Sequence, residues 1–400
     1  MRYWLLILLI PFALAGCSND DDEVIPPSPL PVFKSDVHIK KLWTQNVGDG
    51  VDDVYLNLKP AVTERWVFAA AISGELVKID RASGDVAWEV ETGRYITGGV
   101  SAAYGVVAFG TGDGEVVVLN EEDGAILWSK KLDGQIMAAP AIASDRILVQ
   151  TLSGRLHGLK REDGTVAWLY DTSIPILTLR GESSPVVVGE VTLAGFANGK
   201  LAALDTNSGF VGWERTIGQS EGRSELERLI DLDGRFWVSG KTVYAVTYQG
   251  NASAIDIPSG RLLWTRKMSS YSGVSEFLSQ LYVVDDDGKL AALDAVSGTD
   301  LWLQEGLRGR RLSAPTAYDR YVVVGDFAGY LHWLSYQDGS FKARVKVSSR
   351  PTRNPNAKLG QAEPKRTEDG LRAEPVVYQD IVYVQGNGGA VAAYQVIEKE

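Results

Sequence analysis

The residues of this chain with the type and spacing for chemistry are mostly aspartates. Asp80, Asp205, Asp256 and Asp294, with Asn120 at the matching place, each stand four residues before a glycine. Convergent carboxylates would suit acid–base catalysis or a hard cation. These sit one per repeat in equivalent turns, where a short carboxylate accepts hydrogen bonds from amides two residues on. They therefore read as structural. Of the three histidines, His157 and His332 hold the same position in different repeats, which argues against a metal site shared between them or with His38. Cys17 is the only cysteine, so neither an internal disulfide nor a cysteine-based metal site is available. No glycine-rich phosphate loop opens a helix, and no G-x-S-x-G elbow occurs. The GTGDG at residues 110–114 is a strand end running into its turn. Nothing nominates a nucleophile, and no cofactor is expected.

The element that positions these residues is a hairpin, clearest from Asp287 to Trp302, DGKLAALDAVSGTDLW. Alternating residues form one strand, Asp294 and Gly298 bracket a turn, and Leu301-Trp302 begins a second strand. Glycines equivalent to Gly288 recur at Gly74, Gly114, Gly154, Gly199, Gly250, Gly329 and Gly389, at intervals of 38 to 60 residues. A second glycine follows ten residues later in seven copies, and a tryptophan four further on in six: Trp88, Trp128, Trp168, Trp213, Trp264 and Trp302. A period near forty with a hairpin in each copy predicts a β-propeller. An apolar strand precedes each hairpin. Before most of these lies a segment with small residues or proline, such as Lys59-Pro60-Ala61 or Ala373-Glu374-Pro375, suited to an innermost strand. Four strands per repeat follow.

The last copy ends after one strand, Ala390 to Val396, while Ile39 to Trp43 carries a tryptophan strand with no hairpin before it. Joining them completes an eighth blade and removes two exposed edges. The expected fold is all-β: an eight-bladed propeller of four-stranded blades over residues 37–400, closed by the N-terminal strand. Ala343 takes the tryptophan position in the seventh copy, and Trp333 on the preceding strand is the candidate to fill that space. Two insertions interrupt the period, Gly212 to Gly240 and Val347 to Arg372. The second is rich in Arg, Lys, Pro and Asn and reads as a mobile loop.

Residues 1–16 hold Arg2 and an apolar run, Trp4 to Leu14, too short to span a bilayer, and read as a signal peptide. The ending Leu14-Ala15-Gly16-Cys17 resembles the bacterial lipobox, in which the cysteine is acylated and becomes the mature N-terminus. Ser18 after it implies, by the same resemblance, outer-membrane sorting. Residues 17–36, polar and proline-rich, read as the acylated cysteine and a flexible tether. The formal charge of −11 disfavours nonspecific nucleic-acid binding and coating of anionic lipid, so membrane association is expected through the lipid anchor only.

The hairpin pattern L-x-A-L-D-x-x-S/T-G-x-x-x-W resembles the repeat of pyrroloquinoline-quinone dehydrogenase propellers. Those enzymes usually carry a vicinal cysteine pair, often a haem-attachment motif, and a calcium site; the single Cys17 leaves no place for the first two. The chain is more similar to the BamB family of outer-membrane β-barrel assembly lipoproteins. Three stretches carry that likeness: Leu177-Thr178-Leu179-Arg180-Gly181-Glu182-Ser183, Arg228-Leu229-Ile230-Asp231-Leu232-Asp233, and Gly329 to Trp333 with Asp338-Gly339. The resemblance implies a non-enzymatic scaffold on the periplasmic face of the outer membrane. Its implied partners are the periplasmic domains of BamA, other subunits of the assembly complex, and unfolded barrel strands. Leu177 and Leu179 would then be apolar anchors and Arg180 a charged one, with Asp231 and Asp233 completing the patch. From the residues alone, Leu177 and Leu179 equally fit a half-buried strand, and Asp231-Leu232-Asp233-Gly234 a plain turn. A quinone-dependent dehydrogenase and a propeller binding envelope polysaccharide are the alternative readings.

The lipobox has a direct test. Cys17→Ser should abolish incorporation of labelled palmitate, and continued labelling would remove the acylation reading.

Overall fold

The computed structural model describes residues 25–51, 54–179, 183–218, 224, 229–232, 234–347 and 370–398. These form eight antiparallel sheets of four strands each. Seven blades are continuous in sequence, over residues 61–91, 96–131, 141–171, 186–216, 237–267, 274–304 and 316–346, and are numbered here in that order. In each the strands lie side by side in chain order. Blade 8 takes three strands from the C-terminal end (Val376–Tyr378, Ile381–Gln385, Ala390–Glu398) and its outermost from Val37–Asn46. That strand runs antiparallel to Ala390–Glu398 from Val37↔Glu398 to Asn46↔Ala390. The ring closes as the sequence predicts. First strands touch one another around the axis at every junction but that between blades 4 and 5, which makes them the innermost.

The core lies between blades, and the hairpin signature explains why. Each indole N–H of Trp43, Trp88, Trp128, Trp168, Trp213, Trp264 and Trp302 donates to a turn carbonyl of the next blade. The acceptors are Arg81, Glu121, Arg161, Thr206, Ile257, Ala295 and Tyr336, at 2.7–3.1 Å. In the same turn the side chain of Asp80, Asn120, Asp205, Asp256 or Asp294 accepts the amides that follow, as at Ser83 (3.1 Å) and Ser208 (2.7 Å). The turn glycine has a second duty beyond its positive φ. A Cβ on Gly84 (φ 80°) would lie 2.5 Å from Cγ of Trp43, and one on Gly209 would meet Trp168 at 2.5 Å. Only a residue without a side chain leaves room for the ring of the blade before it.

The junction between blades 7 and 8 is different. Ala343 is buried and stands opposite Trp333 in the register, so the indole has moved one strand inward. Trp333 is fully buried, donates to the Tyr318 hydroxyl at 3.2 Å and meets the Tyr394 ring edge-on at 6.2 Å. The reason is topological. On blade 8 the two outer strands are the chain's two ends, so no turn offers a carbonyl there.

Residues 25–36, expected as tether, make contacts in the structure. Ser28 N–H donates to the Arg308 carbonyl, Phe33 stacks on Phe341 at 5.4 Å, and Asp36 pairs with Lys342 at 3.1 Å. This strap runs along the outer strand of blade 7 (Phe341–Lys346). It is joined to the core by Arg310, which donates to the Ser28 carbonyl and also pairs with buried Asp326 at 2.7 Å. Asp326 in turn partners His332 at 3.1 Å. His157 of blade 3 pairs with Asp133 at 3.0 Å, so the two strand histidines pair with separate aspartates, while the buried Nδ1 of His332 has no partner among the described residues. Residues 348–369 of the long insertion lie outside the described residues.

Two outcomes follow for stability. Trp333→Ala should cost about 3–5 kcal/mol in chemical denaturation, because a fully buried indole leaves a cavity. Deletion of residues 37–46 opens the ring and strips the fourth strand from blade 8, and an unchanged melting temperature would show that closure does not depend on it.

Candidate functional site

Each blade contributes two kinds of connection to one rim: the link from its outermost strand to the next blade, and the turn between its second and third strands. The hairpin turns that receive the indoles lie at the opposite rim. Residues 172–185, between blades 3 and 4, belong to the first kind and contain no strand among those described. The half-buried strand reading of Leu177 and Leu179 therefore falls. Both are exposed, at 40% and 39%, and Ile176 beside them is entirely so.

Asp231 comes from the link between blades 4 and 5. It is buried, with 1% of its surface exposed, and its flanking Ile230 and Leu232 are buried too. Its carboxylate Oδ2 accepts the Leu179 N–H at 2.9 Å, across 52 positions of sequence. Its carbonyl accepts the Tyr248 N–H at 2.9 Å, forming an isolated bridge. The structure thus unites Leu179 with Asp231 but corrects the role of the aspartate. It cannot face a partner; it holds the loop that presents the leucines. Arg180, Asp233 and Cys17 lie outside the described residues. Ile176 does not stand out in the sequence because it breaks the period-two alternation of Leu177 and Leu179.

The same rim encloses a cavity of about 860 Å³ on the axis. At its floor Glu374, before blade 8, meets Lys59 Nζ, from before blade 1, at 2.5 Å and Arg235 Nη1, from before blade 5, at 3.2 Å. Glu374 is 8% exposed. Burial would raise its carboxyl, but the charges of Arg235 and Lys59 outweigh that and hold it down to about 2. The pair ties opposite sides of the ring. Sequence reading passed over it because Lys59-Pro60-Ala61 and Ala373-Glu374-Pro375 stand out for their small residues, while the charges within them have no sequence-local partner. Among the described residues, the one group of three possible metal ligands is Glu75, Glu89 and Glu91 on blade 1, an acidic surface cluster away from this cavity.

This architecture defines a class: eight-bladed β-propellers of four-stranded blades. A europium-containing methanol dehydrogenase shares the fold with a TM-score of 0.70 over 89% of this chain and 93% of that one, at 11% identity. The family described as outer membrane protein assembly factor BamB matches residues 73–302 and 278–400. The outer membrane protein assembly factor BamB of Pseudomonas aeruginosa is 49% identical over 98% of both chains. The crystal structure of BamB from Moraxella catarrhalis superposes with a TM-score of 0.78 at 26% identity, covering 90% of this chain and all of that one. The chain belongs to the BamB family.

The axial ion cluster predicts an acid limb to stability. The folded carboxyl of Glu374 titrates near 2 against an ordinary 4.5, so its contribution is complete above pH 4.5 and lost as pH falls towards 2. The loss is on the order of 3 kcal/mol. Glu374→Gln should lower stability at neutral pH, leaving two buried-side cations uncompensated, and should flatten the denaturation midpoint's decline over that window. An equally steep decline in the variant would assign the acid limb elsewhere.

Proposed function

We propose that this chain is a scaffold of the outer-membrane β-barrel assembly machinery that binds the periplasmic domains of BamA. The carrying observation is the exposed apolar tip of Ile176, Leu177 and Leu179, held on one rim by the buried Asp231. Apolar anchors on a rigid support lose little entropy on binding and have the makeup of a hot spot. In this reading Arg180, one position after Leu179, and Asp233, two after Asp231, would bring charge to the partner; both lie outside the described residues. Other subunits of the complex and unfolded barrel strands are further partners in this reading.

Family membership supports the assembly role, since the relatives carry it in their name. The quinoprotein likeness is one of fold, and the chain is not an enzyme. Acylated Cys17 anchors the protein to the periplasmic face of the outer membrane. The strap supports a defined attachment, because Ser28 meets Arg308 on the link between blades 6 and 7.

The test is capture of BamA periplasmic domains. Leu179→Ala with Arg180→Ala should weaken capture by roughly 2–4 kcal/mol and leave the melting temperature unchanged. Asp231→Ala should also weaken capture, by releasing the loop, and should cost about 1–3 kcal/mol of stability. Wild-type capture by the stably folded double variant would remove this site.

A further inference from the structure

The axial cavity opens on the rim of the leucine tip. Its lining comes mostly from the links between blades and from the turns between second and third strands, with Gly98, Gly99 and Val186 of two innermost strands, and all eight blades contribute. Its charge is the reverse of the protein's. Lys59, Arg235, Arg311 and Arg372 face Glu374 and Asp286, four cations against two carboxylates, in a chain of net charge −11. Glu374 already serves two of the cations. Arg372 donates to the Val54 carbonyl at 2.9 Å and lies over the Tyr55 ring at 4.8 Å, both neutral groups. Arg311 is exposed at the cavity wall, in a left-handed backbone conformation (φ 47°) that is costly for a residue with a side chain. Among the described residues neither Arg311 nor Arg372 meets a carboxylate. Low-dielectric walls focus such a field and draw in anions.

Leu179 is itself part of the cavity wall, with Phe236, Tyr271 and Phe327. A polypeptide that covers Leu177 and Leu179 therefore lies across the mouth. A volume of about 860 Å³ admits several side chains.

We propose that the axial funnel receives an acidic segment of the partner polypeptide, one whose carboxylates meet Arg311 and Arg372 while an apolar neighbour packs on Leu179. This rests on the reading of the leucine tip as the docking site, and adds the charge that the partner must bring. Glu374 sets the depth, since it pairs with Lys59 and Arg235, offsetting one of their two charges, and leaves Arg311 and Arg372 for the ligand. Occupation of the funnel adds specificity and an attractive field on approach.

The probe is a short fluorescent peptide alternating glutamate and leucine, titrated by anisotropy into the full-length protein in detergent, with a lysine–leucine peptide and citrate as controls. Saturable binding is expected, weakened by salt and roughly tenfold or more weaker in Arg311→Glu with Arg372→Glu at an unchanged melting temperature. No saturable binding, equal binding of the lysine peptide, equal binding by the reversed variant, or citrate binding as tightly as the peptide would each overturn the proposal. Capture of BamA domains is scored separately. Wild-type capture by the reversed variant that has lost the peptide would overturn insertion and keep the BamA reading. Failure of the wild-type protein to capture BamA would remove that reading, while the peptide titration still decides the funnel.

Discussion

The ring depends on one repeated contact: an indole lying on the turn glycine of the next blade and donating its N–H to the carbonyl in that turn. It solves two problems together. A sheet blade must bury a broad apolar face against its neighbour, and an indole covers a large area at once. Its single polar atom would be costly if buried without a partner, and the turn carbonyl lies within reach; in five of the seven turns a preceding aspartate or asparagine fixes the turn, and Lys160 and Ser335 stand at that place in the other two. Glycine is demanded twice at one position, by φ and by the ring above it. Seven of the eight junctions are built this way.

The eighth junction shows what happens when the receiving turn is missing. Closure by strands from both chain ends gives blade 8 its fourth strand but leaves it without an outer hairpin. A tryptophan at position 343 would have an orphaned N–H. The sequence places alanine there and puts the indole at Trp333, where the Tyr318 hydroxyl accepts it and Tyr394 packs beside it. The strap of residues 25–36 covers the same blade from outside, through Phe33 on Phe341 and Arg344 donating to the Pro31 carbonyl. The closing region is thus held by aromatic packing and by the chain's own N-terminal segment, in place of the repeated contact.

How much of this is legible in the sequence divides along the same line. The turn glycines, aspartates and tryptophans are local signals at fixed spacing, so blade number, strand number and ring closure follow from them, including the exchange of Ala343 for Trp333. The strap was not legible, because Phe33 and Pro31 acquire partners only when the ring brings Phe341 and Arg344 alongside. The site was half legible. Leu177 and Leu179 are exposed as the resemblance implies, but nothing in Asp231-Leu232-Asp233 says that the first carboxylate turns inward to bond the Leu179 amide. Nor does any local pattern join Lys59, Arg235 and Glu374, which come from three separate links and meet only on the axis.

The repeated contact also decides where the molecule is free to vary. A hairpin turn that must seat a neighbour's indole tolerates neither insertion nor a side chain at its glycine. The links between blades, at the other rim, carry no such obligation. Both insertions that break the period, within residues 212–240 and 347–372, fall on links: the first between blades 4 and 5, the second between blades 7 and 8. The leucine tip, Asp231, Arg235, Arg311 and Glu374 are all on links as well. One rim therefore keeps the ring intact through a fixed geometry, and the other is left to acquire loops and charges. The charge on the axis follows from the same division. Eight links converge there on a small circle, so a single residue from each suffices to build a pocket of sign opposite to the rest of the protein. Ion pairing across the axis then offsets part of the repulsion that such convergence creates.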